Sequence, residues 1–199
     1  MSPSRKRPSF AKQEESKLDS ILDLKGRIGL VTGAGQGVGR QVALHLAAHN
    51  SGGVVVNDFF AARAEAVAEE VRKLGAPALA VVSDVTNYES VQEMLRQAES
   101  KFGRVDILVN NAGNAGPTQG LSGIKPFWET APEDWAHWFG TNLYGVLNCT
   151  RVAIGGMMQR RYGRIVTVIS DAGRVGEPHQ AVYSGAKAGA AGFMRGLAK

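Results

Sequence analysis

The sequence predicts an α/β fold built on a doubly wound parallel sheet. Three observations carry this. Short apolar runs alternate with longer runs of helical spacing, the short runs show no polar alternation, and a glycine-rich turn joins the first of them to the first helix. Strands that are apolar throughout are buried on both faces, and helices of about 10–15 residues between them make parallel crossovers.

Residues 28–32 form the first apolar run, read as a strand. Residues 37–50 show helical spacing through Val38, Val42, Leu44 and Leu46. Residues 54–57 are the second strand, followed by an Ala/Glu-rich helix over 61–74 that Gly75 ends as a C-cap. Residues 78–82 are the third strand, and 88–102 a helix capped by Thr86 or Asn87. Residues 105–110 are the fourth strand; beyond a long loop come helices near 133–139 and 143–161, which could be continuous. Residues 164–169 are the fifth strand, and a helix runs from about 182 to the end.

A chain of 199 residues, 44% apolar, fits one domain with a sizeable core. The net charge of +5 invites a nucleic-acid reading, but Arg5, Lys6, Arg7 and Lys12 supply four of those charges, leaving about one for the rest. The expected organisation is a polar, basic tail over 1–22, disordered and at most helical near its end, and one domain over 23–199. No signal-peptide apolar region and no bilayer-spanning run is visible, so no membrane partner is expected. Cys149 is the single cysteine and sits in an apolar helical stretch. It reads as a core thiol, and the reducing cytoplasm is the expected compartment.

Thr32-Gly33-Ala34-Gly35-Gln36-Gly37-Val38-Gly39 lies between the first strand and the first helix. Glycines there permit a tight turn and close approach of backbone to a pyrophosphate, and the helix N-terminus offers free N–H groups and a positive dipole end. The lysine of a P-loop is absent, which argues against an ATPase. Nineteen residues after Gly39, the second strand ends in Asn57-Asp58. A carboxylate at that place accepts hydrogen bonds from the adenosine ribose and repels a 2′-phosphate. Gln36 provides no cation for such a phosphate, and Arg63, the nearest base, is expected to point to solvent. NAD is therefore expected over NADP.

Tyr183 and Lys187 stand four residues apart, on one helix face. Oxidation of an alcohol needs a base for the hydroxyl proton, and a lysine cation beside a tyrosine favours its phenolate. Lys187 could also hold the nicotinamide ribose. Ser170 can donate to the alkoxide or carbonyl oxygen. His179 and Asp171 invite a Ser/His/Asp hydrolase reading, but no Gly-x-Ser-x-Gly elbow surrounds Ser170. His45, His49 and His137 show no metal-ligand spacing. Trp128, Trp135 and Trp138 suit core, substrate wall or helix packing better than a base-stacking platform.

With Gly33-x-x-x-Gly37-x-Gly39, Asn110-Asn111-Ala112-Gly113 and Tyr183-x-x-x-Lys187 in that order, residues 24–199 resemble the short-chain dehydrogenase/reductase family, and most of all its 3-oxoacyl-carrier-protein reductase-like members. The resemblance implies a Rossmann-like sheet and an enzyme acting on CH–OH groups. It implies that Asp84 and Val85 hold the adenine, and that Asn111, Ala112 and Gly113 shape the sheet edge beside the cofactor. Asn142 would position a water and a helix near Lys187, and Ser170 stands at the family separation of 13 residues before Tyr183. Catalysis would then rest on Asn142, Ser170, Tyr183 and Lys187. Gly33, Gly35, Gln36, Gly37, Val38, Gly39, Asp58, Tyr183 and Lys187 would contribute to cofactor binding. Substrates would be small alcohols, ketones or acyl thioesters, and the helices near 133–139 and 143–161 would pair two chains as a homodimer.

Two departures stand out. Gly113 and Asn142 are 29 residues apart, longer than in compact members, and the chain stops twelve residues after Lys187, where members continue with two more strands and a helical flap. The chain is thus expected to lack the last strands of the family fold. Two other functions remain open: a dinucleotide-binding protein without catalysis, and a nucleic-acid binder using the basic tail.

Overall fold

The computed structural model describes residues 21–113 and 125–199. Residues 1–20 of the expected tail and 114–124 of the long loop lie outside them.

Five parallel strands form one sheet in the order β3-β2-β1-β4-β5. They are β1 (Ile28–Val31), β2 (Gly53–Asp58), β3 (Ala78–Val82), β4 (Ile107–Asn110) and β5 (Arg164–Thr167). The register aligns Leu30 with Val55 on one side and with Leu108 on the other. The strand order reverses between β1 and β4. Loops leaving neighbouring strands there go to opposite faces, so a crevice opens at the carboxyl ends.

Alternation along each strand sends side chains to two cores. Leu30, Val55, Val81 and Leu108 meet Val91, Met94 and Ala98 of α3 (Tyr88–Phe102) and Cys149, Ala153 and Met157 of α5 (Gly145–Gln159). Val31, Val54, Val56 and Val109 meet Ala43 and Ala47 of α1 (Gly37–Ala48) and Val67, Ala68 and Val71 of α2 (Ala61–Lys73). β1, β2 and β4 are buried at every position, as their unbroken apolar runs require. β5 departs from that expectation. It is bonded to β4 on one side, and its pattern alternates: Ile165 packs on the core while Val166 is 52% exposed.

Ends follow local chemistry. The Asn87 side chain accepts from the Ser90 amide at 2.7 Å and starts α3, and Gly103 ends it in the left-handed region. Gly75, at φ +92°, turns the chain after α2. α4 (Pro132–Phe139) and α5 are continuous through a π-helical stretch, Gly140–Tyr144, in which the Gly145 amide reaches back five residues to the Gly140 carbonyl. The segment after β5 holds a short helix, α6 (Ala172–Val175), before α7 (Ala181–Leu197). The strand and helix bounds differ from the sequence reading by a residue or two elsewhere, and α6 is new to it. Cys149 is buried, and burial pushes its thiol up to about 12, as a core thiol requires.

Candidate active site

The carboxyl ends of β1 and β4 are stitched together at the crevice. Thr32 Oγ1 accepts the amides of Asn111 (3.1 Å) and Ala112 (3.0 Å), and Asn111 Nδ2 donates to the carbonyls of Thr32 (2.9 Å) and Gly33 (3.0 Å). This clamp fixes the glycine turn against the Asn110–Gly113 segment. Thr32 was outside the expected site; a hydroxyl ending a buried strand was its only signal.

The glycines are needed for space. A methyl group on Gly33, already at φ +60°, would stand 2.8 Å from Ala112 Cα, and one on Gly39 would meet Asn111 Nδ2 at 2.3 Å and the Gly33 carbonyl oxygen at 2.5 Å. α1 starts behind the turn with Gln36 as N-cap, no side-chain cap and no acid in its first turn. Its amides thus present an uncancelled positive dipole end to the crevice.

A cleft of about 830 Å³ runs along this edge, lined by Gly33, Gln36, Gly37, Val38, Asp58, Asp84, Val85, Asn111, Ala112 and Gly113 among others. Gly35 and Gly39 stand behind it. Asp58 is 6% exposed. Its Oδ2 accepts the Gly35 amide and its Oδ1 the Phe60 amide, each at 3.0 Å. The carboxylate therefore braces the glycine turn from the end of β2, a role that spacing alone did not announce, as well as lining the cleft. Arg63 is exposed, as its place on the helix predicts. It lines the cleft rim, with its guanidinium 4.4 Å above the Phe60 ring. Asp84 lines the cleft with its Oδ1 engaged by the Thr86 amide (2.9 Å) and hydroxyl (2.8 Å).

Two catalytic candidates, Asn142 and Lys187, converge on Gly113, and Tyr183 lies beside the second. A methyl group on Gly113 would stand 3.0 Å from Asn142 Oδ1 and 3.3 Å from Lys187 Nζ, so both heads lie against the cleft wall. Asn142 is fully buried in the π-helical stretch, its Nδ2 donating to the Trp138 carbonyl at 3.0 Å. Lys187, 5% exposed, donates to the Val168 carbonyl at 3.0 Å, tying α7 to the end of β5. Burial lowers its ammonium from the ordinary lysine value. Lys187 Nζ stands 5.9 Å from the Tyr183 ring centroid. Ser170 sits half-buried just past β5, its Oγ accepting the Ala172 amide at 3.3 Å.

Tyr183 lines a second cavity of about 380 Å³, with Trp135 and Trp138 on its wall and His179 beside them. All three tryptophans line this cavity, and none is among the buried core residues. His137 lines both cavities. The residues fit a dinucleotide: a glycine cradle in which added methyl groups would clash, a helix N-terminus aimed at a phosphate, and an acid at the ribose end of the cleft. Among the described residues no cluster of three potential metal ligands occurs, and no helix is long and apolar enough to cross a membrane.

A dinucleotide-shaped cleft that adjoins a tyrosine-lined cavity is the arrangement of a nicotinamide-dependent oxidoreductase working on hydroxy and oxo compounds. The short chain dehydrogenase family model matches residues 27–199, and the chain belongs to that family. It is 39% identical over 176 residues to a 3-oxoacyl-[acyl-carrier-protein] reductase of Synechocystis, covering 88% of this chain and 68% of the relative. It is 37% identical over 179 residues to a (2S)-[(R)-hydroxy(phenyl)methyl]succinyl-CoA dehydrogenase subunit of Thauera aromatica, covering 89% and 68%. Its fold superposes with a TM-score of 0.81 on a 7α-hydroxysteroid dehydrogenase complexed with NADH and 7-oxo glycochenodeoxycholic acid, at 32% identity and over 89% of this chain and 66% of the other. An NAD⁺-bound xylitol dehydrogenase superposes with a TM-score of 0.80 at 30% identity, over 87% and 64%. The chain thus spans about two thirds of the length of the relatives it matches.

Proposed function

We propose that this protein is an NAD-dependent dehydrogenase/reductase that interconverts an alcohol and a carbonyl, with Tyr183 as general acid and base. The observation that carries this is the convergence of Lys187 Nζ and Asn142 Oδ1 on Gly113 at the cleft wall, with Tyr183 lining the adjoining cavity. The nicotinamide, when bound, takes up or returns hydride. Tyr183 Oη takes the hydroxyl proton of the alcohol, or gives a proton to the carbonyl oxygen. Ser170 Oγ donates to that oxygen and stabilises its developing charge. Lys187 supplies a cation beside the tyrosine and a donor for the nicotinamide ribose, and Asn142 holds the helix behind it. Turnover of an alcohol panel with NAD tests this; nucleotide binding with no turnover would leave only the non-catalytic reading.

The cofactor preference rests on Asp58. Its carboxylate lines the cleft at the end of β2 and opposes a 2′-phosphate. Arg63 on the rim offers a compensating cation, so the selectivity is expected to be moderate. Calorimetry should show NAD binding more tightly than NADP, by about tenfold, or ~1.4 kcal/mol. Arg63→Ala should widen the gap. NADP binding equal to or tighter than NAD would overturn the assignment.

The substrate is proposed to be a small alcohol, ketone or acyl thioester, with neither nucleic acid nor membrane as partner, and the cytoplasm is the proposed compartment. We propose assembly as a homodimer through α4, α5 and the π-helical stretch between them, where Tyr144 and Met158 stand 56% and 70% exposed. Sedimentation at micromolar concentration should give a dimer; a monomer would count against it.

A further inference from the structure

We propose that the cavity beside Tyr183 selects alcohols and ketones that carry an aromatic ring on the reacting carbon, an inference that rests on the dehydrogenase reading above. The cavity, about 380 Å³, is at the small end of the ~300–1,000 Å³ range of ligand pockets. Among the described residues its wall carries aromatic rings in two defined pairs, with Lys125, Asp134 and Gln180 also lining it. Trp138 meets Tyr183 edge to face, with ring centroids 5.7 Å apart and planes at 63°. Phe127 stacks on Trp135, with centroids 5.5 Å apart and planes at 22°.

Hydrogen bonds hold the second pair. Trp135 Nε1 donates to Thr130 Oγ1 at 2.9 Å, and Thr130 Oγ1 donates to the Phe127 carbonyl at 2.6 Å. The one polar atom of Trp135 is thereby engaged within the wall, and what its ring offers a ligand is π surface. Trp128, 80% exposed, extends the same aromatic surface at the rim.

Position then decides which part of the substrate meets these rings. Tyr183 handles the substrate oxygen, so the group bonded to the reacting carbon lies one bond away and within reach of Trp138. Aromatic rings at such distances gain from edge-to-face or offset contact beyond the area they bury. A saturated ring of the same size fills the volume but loses that quadrupole term. For a benzylic secondary alcohol the reaction balances as follows. The C–H bond breaks and its electron pair leaves as hydride to the oxidised nicotinamide dinucleotide. The hydroxyl proton passes to Tyr183 Oη, and the C–O single bond becomes a carbonyl. The alcohol loses two electrons and the dinucleotide gains them.

The test compares matched pairs in the full chain with NAD. 1-Phenylethanol and 1-cyclohexylethanol differ in ring aromaticity, and acetophenone and cyclohexyl methyl ketone form the corresponding pair for binding. Expected is a kcat/KM for 1-phenylethanol about tenfold above that for 1-cyclohexylethanol, the scale of one or two aromatic contacts, and tighter calorimetric binding of acetophenone to the cofactor-loaded protein. Trp138→Leu should bring both ratios close to one. Phe127→Leu, at a more exposed position, should lower them by a smaller factor and serves if the first variant fails to fold. A ratio of one or less, or a ratio that neither variant changes, overturns the proposal while turnover itself leaves the dehydrogenase reading standing. Selective, Trp138-dependent binding of acetophenone without turnover of either alcohol would do the opposite.

Discussion

Replacing Tyr183 by phenylalanine is expected to lower turnover by ~10²–10⁴-fold, the usual worth of a positioned general acid or base, with NAD affinity little changed. The substitution removes the oxygen that moves the proton and keeps the ring. The edge-to-face contact with Trp138 at 5.7 Å survives, so the cavity wall should hold its shape. Lys187 is held by the Val168 carbonyl at 3.0 Å, independently of the phenol, so the cleft wall at Gly113 should also persist. Steady-state kinetics with calorimetric NAD titration separates these effects. Near-normal turnover at saturating substrate would mean that another group is the base, and His179, which lines the same cavity, would be the first to examine.

The second large effect concerns Lys187 and splits function from stability. Lys187→Met is expected to lower turnover by about 10²-fold or more, as loss of a positioned charge in an active site does. Its effect on the fold should be opposite in direction. An ammonium that is 5% exposed and donates to the Val168 carbonyl bears a desolvation cost that a methionine of similar length avoids. The unfolding temperature should therefore be unchanged or raised by about 2–4 °C, the shift that ~1 kcal/mol gives in a domain of this size.

The pH dependence provides a second readout. Burial lowers Lys187 in the folded chain, so between that lowered value and the ordinary lysine value the unfolded chain binds more protons than the folded one. Stability of the parent, relative to the variant, should therefore rise as pH increases through that window and level off above it. Denaturant melts of both proteins across the alkaline range measure the difference. A variant that is clearly less stable at every pH would show that Lys187 is a structural tie and not a strained functional group.

How far the sequence could be read depended on what kind of information each feature needed. The strands and the two-faced burial of β1, β2 and β4 were legible because Leu30, Val31, Val55 and Val56 carry the pattern in the residues themselves. The glycine turn was legible because its spacing is fixed by backbone geometry. Features set by long-range contact were not. Thr32 clamps β4 through residues nearly eighty positions away, and Asp58 turns inward to the Gly35 amide. Arg63 lies on a helix whose solvent face also forms the cleft rim, so helical position alone could not place it. β5 packs Ile165 on the core and leaves Val166 exposed on its other face, and the run of residues 164–169 does not say which face is covered. The gathering of Phe127, Trp135 and Trp138 around Tyr183 depends on how α4 packs on α7.

The π-helical stretch at Gly140–Tyr144 solves a problem of angular phase. α4 must aim Trp135 and Trp138 at the substrate cavity, while α5, continuous with it, must aim Cys149, Ala153 and Met157 at the sheet. A uniform α-helix advances about 100° per residue, and a π-turn inserts one residue into that progression. The insertion offsets the two facing directions and places Asn142 inward at the join, with its side-chain amide on the Trp138 carbonyl. Deleting a single residue between 140 and 144 would restore uniform pitch and turn everything downstream by about 100° relative to everything upstream. The cavity wall and the core face could then no longer both be satisfied. Substitutions in this segment leave the phase intact, whereas a change in its length does not. Apart from Asn142, tolerance here should thus be governed by how many residues the segment contains more than by which ones they are.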